Sequence, residues 1–122
     1  MEATEPEESG YNVEHDPVEG ALLVTASGEL DLAAAPRLAT VLSIATAGAE
    51  PCVVLDLTAV DFIDSTALGA IMHASTEAEA VGKQMLVVAL DGPVRRLLEI
   101  TNLTGRFRVY PSREDALAAL AA

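Results

Sequence analysis

The sequence predicts a single α/β domain on a mostly parallel, mixed β-sheet whose first strand is antiparallel, with four helices in the order β-β-α-β-α-β-α-β-α. Three observations carry this. Apolar runs of strand length alternate with segments whose apolar residues recur every third and fourth position, and that alternation implies parallel strands joined by right-handed crossovers. Only the Glu19-Gly20 connection is short enough for an antiparallel hairpin. The 122 residues are 51% hydrophobic and only 3% aromatic, a composition of Ala, Leu and Val that suits one domain with close helix-to-sheet packing.

Positions 1–10 lack apolar periodicity and read as a disordered acidic tail, leaving 11–122 as the domain. Tyr11 to Glu19 reads as an edge strand, because Pro17 cannot donate to a second neighbour. Ala21 to Gly28 is a stronger strand, closed by a turn at Gly28-Glu29-Leu30-Asp31. Ala34 to Ala47 follows as a helix with Pro36 in its first turn; Leu38, Val41, Leu42 and Ala45 form its buried stripe and Gly48 its stop. Val53 to Leu57 is nearly all apolar, as expected of a central strand covered on both faces, and a short loop carrying Asp61 and Asp64 follows it. The second helix runs from Ser65 to Val81, with Leu68, Ile71, Met72 and Ser75 facing in and His73, Glu77 and Lys83 facing out. Gln84 to Leu90 is another buried strand. Asp91-Gly92-Pro93 opens a short helix that turns Val94, Leu97, Leu98 and Leu103 inward. Phe107 to Tyr110 is a last short strand. Ser112 and Asp115 make a capping signal for a final helix, Arg113 to Ala121.

Charge and residue inventory exclude several classes of function. Net charge is −12, and residues 1–36 hold no Lys or Arg. Such a chain repels nucleic-acid phosphates and suits a basic protein partner. The apolar segments are interrupted by Asp, Glu or Gly, so none reads as a bilayer span. No signal-peptide pattern opens the chain, and the lone Cys52, read as a buried small hydrophobe, fits a reducing compartment; the expected location is cytoplasmic. No glycine-rich phosphate loop is present, and His15 and His73 lack partners at ligand spacing, so neither a cofactor nor a metal is expected. His73 lies eight residues beyond Ser65 on one helix, about 12 Å along its axis, too far to act as its base. Asp56, ending an apolar strand, evokes a phosphoaccepting receiver domain. Lys83, the only lysine, precedes a strand where a receiver needs it at a strand's end.

What remains is the strand-to-helix junction Val60-Asp61-Phe62-Ile63-Asp64-Ser65-Thr66-Ala67-Leu68-Gly69. In parallel α/β sheets the carboxyl ends of strands are where ligands and partners act. Asp64 or Ser65 caps the helix. A phosphate on Ser65 would sit where free N–H groups and the helix dipole favour it, so the fold would tolerate phosphoserine while a docked partner met about −1.5 to −2 of new charge.

This stretch, with Val54-Leu55-Asp56-Leu57 before it, resembles the signature of the STAS domain of anti-sigma factor antagonists: strand-Asp-Leu, a short loop, then Phe-x-Asp-Ser-Ser/Thr-Gly-Leu-Gly. Gly28-Glu29-Leu30-Asp31, Val94-Arg95-Arg96-Leu97-Leu98 and Ala116-Leu117 match further family elements, so the resemblance spans about residues 11–120. It implies a STAS-type domain that is not an enzyme and that frees a sigma factor by binding an anti-sigma factor of the GHKL serine kinase type. It implies phosphorylation at Ser65 (Thr66 as the alternative), reversal by a serine phosphatase, and a partner surface of Asp31, Asp61, Asp64, Ser65, Thr66, Ala67, Leu68 and Gly69. One position departs from the pattern: Ala67 stands where the family has Gly, with an expected effect on partner choice or phosphorylation. The family also includes non-phosphorylated scaffold and transporter-associated modules, the second reading.

Overall fold

The computed structural model describes residues 10–101 and 107–121. Along the chain run β1 (Tyr11–Val18), β2 (Ala21–Leu30), α1 (Ala35–Ala47), β3 (Cys52–Ile63), α2 (Ser65–Ala80), β4 (Gln84–Val88), α3 (Pro93–Thr101), β5 (Arg108–Tyr110) and α4 (Arg113–Ala121). Positions 1–9 of the tail expected at 1–10, and Leu103, lie outside the described residues; Gly10 is described and belongs to the fold, its carbonyl accepting the Glu29 N–H at 3.0 Å.

The five strands lie side by side in chain order, β1 antiparallel to β2 and every other pair parallel. Successive right-handed crossovers that always step the same way put their helices on one face. Accordingly α1, α2 and α3 cover one side, where Leu38, Leu42, Leu55, Ile71 and Leu98 meet in the main core. α4 closes a smaller cluster of Leu23, Cys52, Val54, Leu86, Val88 and Ala116 on the other. Burial there pushes the Cys52 thiol up to about 11, so it packs as a neutral small hydrophobe.

The hairpin forms as its sequence implies, with Val18 opposite Ala21 and Gly20 taking the left-handed conformation (φ 86°). β1 is the outer strand, where Pro17 is tolerated. The α1 stripe Leu38, Val41, Leu42 and Ala45 is buried. Ser112 Oγ accepts the Asp115 N–H at 3.0 Å, capping α4.

Two strands run further than their apolar runs. β2 continues through Gly28 and Glu29 to Leu30, and β3 continues past Asp56 to Ile63. Asp61 therefore lies in a strand, not a loop. Beyond Asp56 the β3 ladder to β4 has ended, and Leu57–Ile63 forms an arm paired with β2 alone. Two register shifts in that pairing break the alternation that marks a strand in sequence. Gly28 makes the close approach possible: its φ is +84°, and a Cβ there would lie 2.1 Å from the Gly10 carbonyl oxygen.

α2 buries Ala67, Ile71, Ala74, Ser75 and Ala78, while Leu68 and Met72 of the expected stripe are only half buried. Small residues on its inner face let the helix lie close to the sheet. Its end is a full Schellman turn: Lys83 N–H donates to the Ala78 carbonyl and Gly82 N–H to that of Glu79, with Gly82 left-handed at φ 79°. Lys83 is half buried and not outward-facing; its ammonium donates to the Gly48 carbonyl, covering the end of α1. A cation at that negative dipole end is favourable and ties the two helices together.

Candidate functional site

Three adjacent parallel strands end at one edge of the molecule, and each delivers an aspartate beside an exposed apolar side chain. β2 leads into Asp31 and Leu32, the β3 arm carries Asp61 and Phe62, and β4 leads to Leu90 and Asp91. Leu32 is 70% exposed, Phe62 50% and Leu90 57%, on a molecule that buries most of its large aliphatics. None of the three reads from the sequence as a surface residue: Leu90 is expected to end a buried strand, but β4 stops at Val88, and Phe62 enters only through the family pattern. The signal available was their place, just past or just before the end of a parallel strand. Between the arm and the β4–α3 loop lies a groove of about 240 Å³ walled by Leu57, Val60, Asp61, Leu90, Asp91 and Pro93, with room for a partner side chain. Among the described residues no three His, Cys, Asp or Glu side chains gather closely enough to hold a metal ion. The rim is thus acidic and apolar, with carboxylates spread apart.

Ser65 follows the β3 arm at this edge, as the first residue of α2. Ile63 turns into the main core, and Asp64 breaks the strand with extended backbone (φ −100°, ψ 179°). Its N–H donates to the Leu30 carbonyl at 3.1 Å, pinning the end of β3 to the end of β2. Its carboxylate accepts the Ala67 N–H at 3.0 Å, so Asp64, not Ser65, is the N-cap of α2. Ser65 and Thr66 are the first two residues of the helix, and both are exposed. Backbone N–H groups at those positions have no partner within the helix and give that end its positive dipole.

The structure divides the expected partner surface. Asp61, Ser65, Thr66 and Gly69 are exposed, Asp64 and Leu68 half buried. Asp31 is exposed, and its Oδ1 accepts the N–H groups of Ala33 (3.1 Å) and Ala34 (3.2 Å), so it also shapes the approach to α1. Ala67 does not belong to the surface. It is 0% exposed, because capping by Asp64 aims the third helical position at the sheet. Its methyl group fills the core and meets no partner. Gly69 is the converse case: a Cβ there would touch nothing within 4 Å, so packing does not require glycine in this helix.

Asp56 is removed from this edge. It sits within β3, buried, and faces α4. Its Oδ1 accepts the Thr58 N–H at 2.9 Å and its Oδ2 takes both Nε (3.0 Å) and Nη2 (2.6 Å) of Arg113. Burial alone would push this carboxyl up; the Thr58 N–H and the Arg113 guanidinium outweigh it and hold the group below the usual carboxylate range.

Residues 12–116 match the family described as the STAS domain. Anti-sigma-F factor antagonist RsfB of Mycobacterium tuberculosis is 30% identical over 101 residues, 83% of this chain and 82% of its own. The crystal structure of an anti-sigma factor antagonist from Mycobacterium paratuberculosis superposes with a TM-score of 0.83 at 29% identity, over 92% of this chain and 95% of that one. The Bacillus cell fate determinant SpoIIAA, solved in its phosphorylated form, shares the fold at a TM-score of 0.70 and 19% identity, over 89% and 99% of the two chains.

Proposed function

Because the chain belongs to the STAS domain family, we propose that it acts as an anti-sigma factor antagonist: it docks its strand-end surface on an anti-sigma factor and so frees a sigma factor. The observation that carries this reading is an exposed serine at the first position of α2, set in a rim of apolar side chains and carboxylates. Relatives that cover most of the chain are anti-sigma factor antagonists, which supports the general role. Leu32, Phe62 and Leu90 supply apolar area to the contact, and Asp31, Asp61 and Asp91 favour a basic partner patch.

The switch acts at Ser65. An anti-sigma factor of the GHKL serine kinase type transfers the γ-phosphoryl group of its ATP to Ser65 Oγ, ADP leaves, and the hydroxyl proton passes to a base of the kinase. The new dianion rests on the N-terminus of α2, so the free domain keeps its fold. Across the interface the same charge is repelled. One unit of it about 6 Å from a partner carboxylate, at an effective dielectric near 20, costs ~3 kcal/mol, or roughly a hundredfold in affinity. A serine phosphatase restores the binding form. All of these steps place the protein in the cytoplasm.

Gly69 offers a test that separates binding from folding. The anti-sigma factor captured with this protein from its source cell is loaded with its sigma factor, and release is followed as antagonist is added. The wild-type chain is expected to displace the sigma factor. Gly69→Ala is expected to be more stable by about 0.5–1 kcal/mol, since alanine is the better helix former and its methyl enters open space, yet to displace less. No displacement by the wild-type chain overturns the reading; equal displacement by both removes Gly69 from the contact.

A further inference from the structure

Among the described residues Asp56 is the one charged side chain that is buried, at 3% exposed. It occupies the point where the sheet divides. The β3–β4 ladder ends at the pair Asp56 and Val88, and beyond it β3 continues as the arm Leu57–Ile63 on β2 alone. At the same point the β2 ladder changes register: Thr25 pairs with Asp56, but Ser27, two residues on, pairs with Ala59, three residues on. The extra residue is a β-bulge, and within it the Thr58 N–H donates to Asp56 Oδ1 at 2.9 Å.

The other carboxylate oxygen is held from α4. Arg113 grips Oδ2 through Nε and Nη2, although it is the first residue of its helix, where the dipole disfavours a cation. Glu114 and Asp115 in the same turn follow the dipole preference; Arg113 departs from it and lies over Asp56. The bulge in turn phases the arm. With it, Val60 and Ile63 enter the main core, and Phe62 stays half exposed beside the cap Asp64 and Ser65. A one-residue slip would exchange inward and outward side chains.

We propose that Asp56, charge-paired with Arg113, is a positioning residue: it locks the β3 bulge, sets how the arm presents Phe62, Asp64 and Ser65, and couples the seating of α4 to that edge. The inference rests on the arm's geometry and is independent of whether Ser65 is phosphorylated or what binds there.

Amide hydrogen exchange and amide chemical shifts, followed by NMR on the free full chain, test it in the wild type, Arg113→Ala and Arg113→Lys. In Arg113→Ala, amides of Thr58 to Ile63 are expected to exchange at least tenfold faster relative to those of Val53 to Leu55 in the same strand, with shifts moving at Asp64 to Leu68. Arg113→Lys keeps the charge without the two-nitrogen grip and is expected to fall between. If Arg113→Ala does not fold, Arg113→Lys carries the same comparison. Equal acceleration along all of β3, acceleration confined to α4, or an arm that exchanges as in wild type overturns the proposal.

Discussion

Ser65→Asp is expected to weaken binding to the anti-sigma factor at least tenfold, while Ser65→Ala binds as the wild type does. The free domain has no reason to object to either change. Ser65 is exposed, and its hydroxyl makes no hydrogen bond with a described residue, so removing it should alter stability by no more than about 0.5 kcal/mol. An aspartate at the first helical position is itself favourable to the dipole. The penalty therefore falls on the complex. A carboxylate carries less charge than phosphate and reaches less far, so tenfold is the floor and roughly a hundredfold, the value for a unit charge near 6 Å, the ceiling. Calorimetric titration of both variants against the same anti-sigma factor measures it. Equal affinities would take Ser65 out of the switch.

The second large effect is on stability. Arg113→Ala leaves the Asp56 carboxylate buried without its cation, and breaking a buried pair in this way costs about 3–5 kcal/mol when both partners are enclosed. Arg113 is 47% exposed, so water reaches the pair and about 2–3 kcal/mol is the expectation. The pH dependence identifies the cause. In the wild type the folded carboxyl lies below its ordinary value, so the pair's contribution is present above the unfolded pKa of about 3.9 and is lost as pH falls through the lower folded value. The difference between wild type and Arg113→Ala in urea unfolding should thus be largest near pH 6–7 and shrink below pH 4. A gap of the same size at both ends would assign the loss to side-chain packing.

Most of the fold was legible because local signals and tertiary demands agree. The α1 stripe, the Glu19-Gly20 hairpin, the Ser112 cap and the start of α2 are each set by residues close in sequence. The β3 arm was not legible: although Thr58, Val60, Phe62 and Ile63 are strand formers, its two register shifts erase the period-2 pattern that would have marked it as a strand. Asp56 read as the end of an apolar strand because its partner, Arg113, lies 57 residues away and no local pattern links them. Asp64 and Ser65 could be placed at a helix start from their residue types alone. Ala67 could not be assigned to the core, since motif spacing does not say which way the third residue of a helix faces until its N-cap is known. Leu32, Phe62 and Leu90 needed three strands to be brought side by side before they formed a surface.

The switch itself is tested most directly by incubating the protein with the kinase anti-sigma factor it binds, ATP and Mg²⁺, then locating the modification by mass spectrometry while following the complex. The expected result is a single phosphate on Ser65, appearing as the complex dissociates. Phosphate on Thr66, or none while the complex persists, would contradict this account and favour a scaffold that binds without being switched.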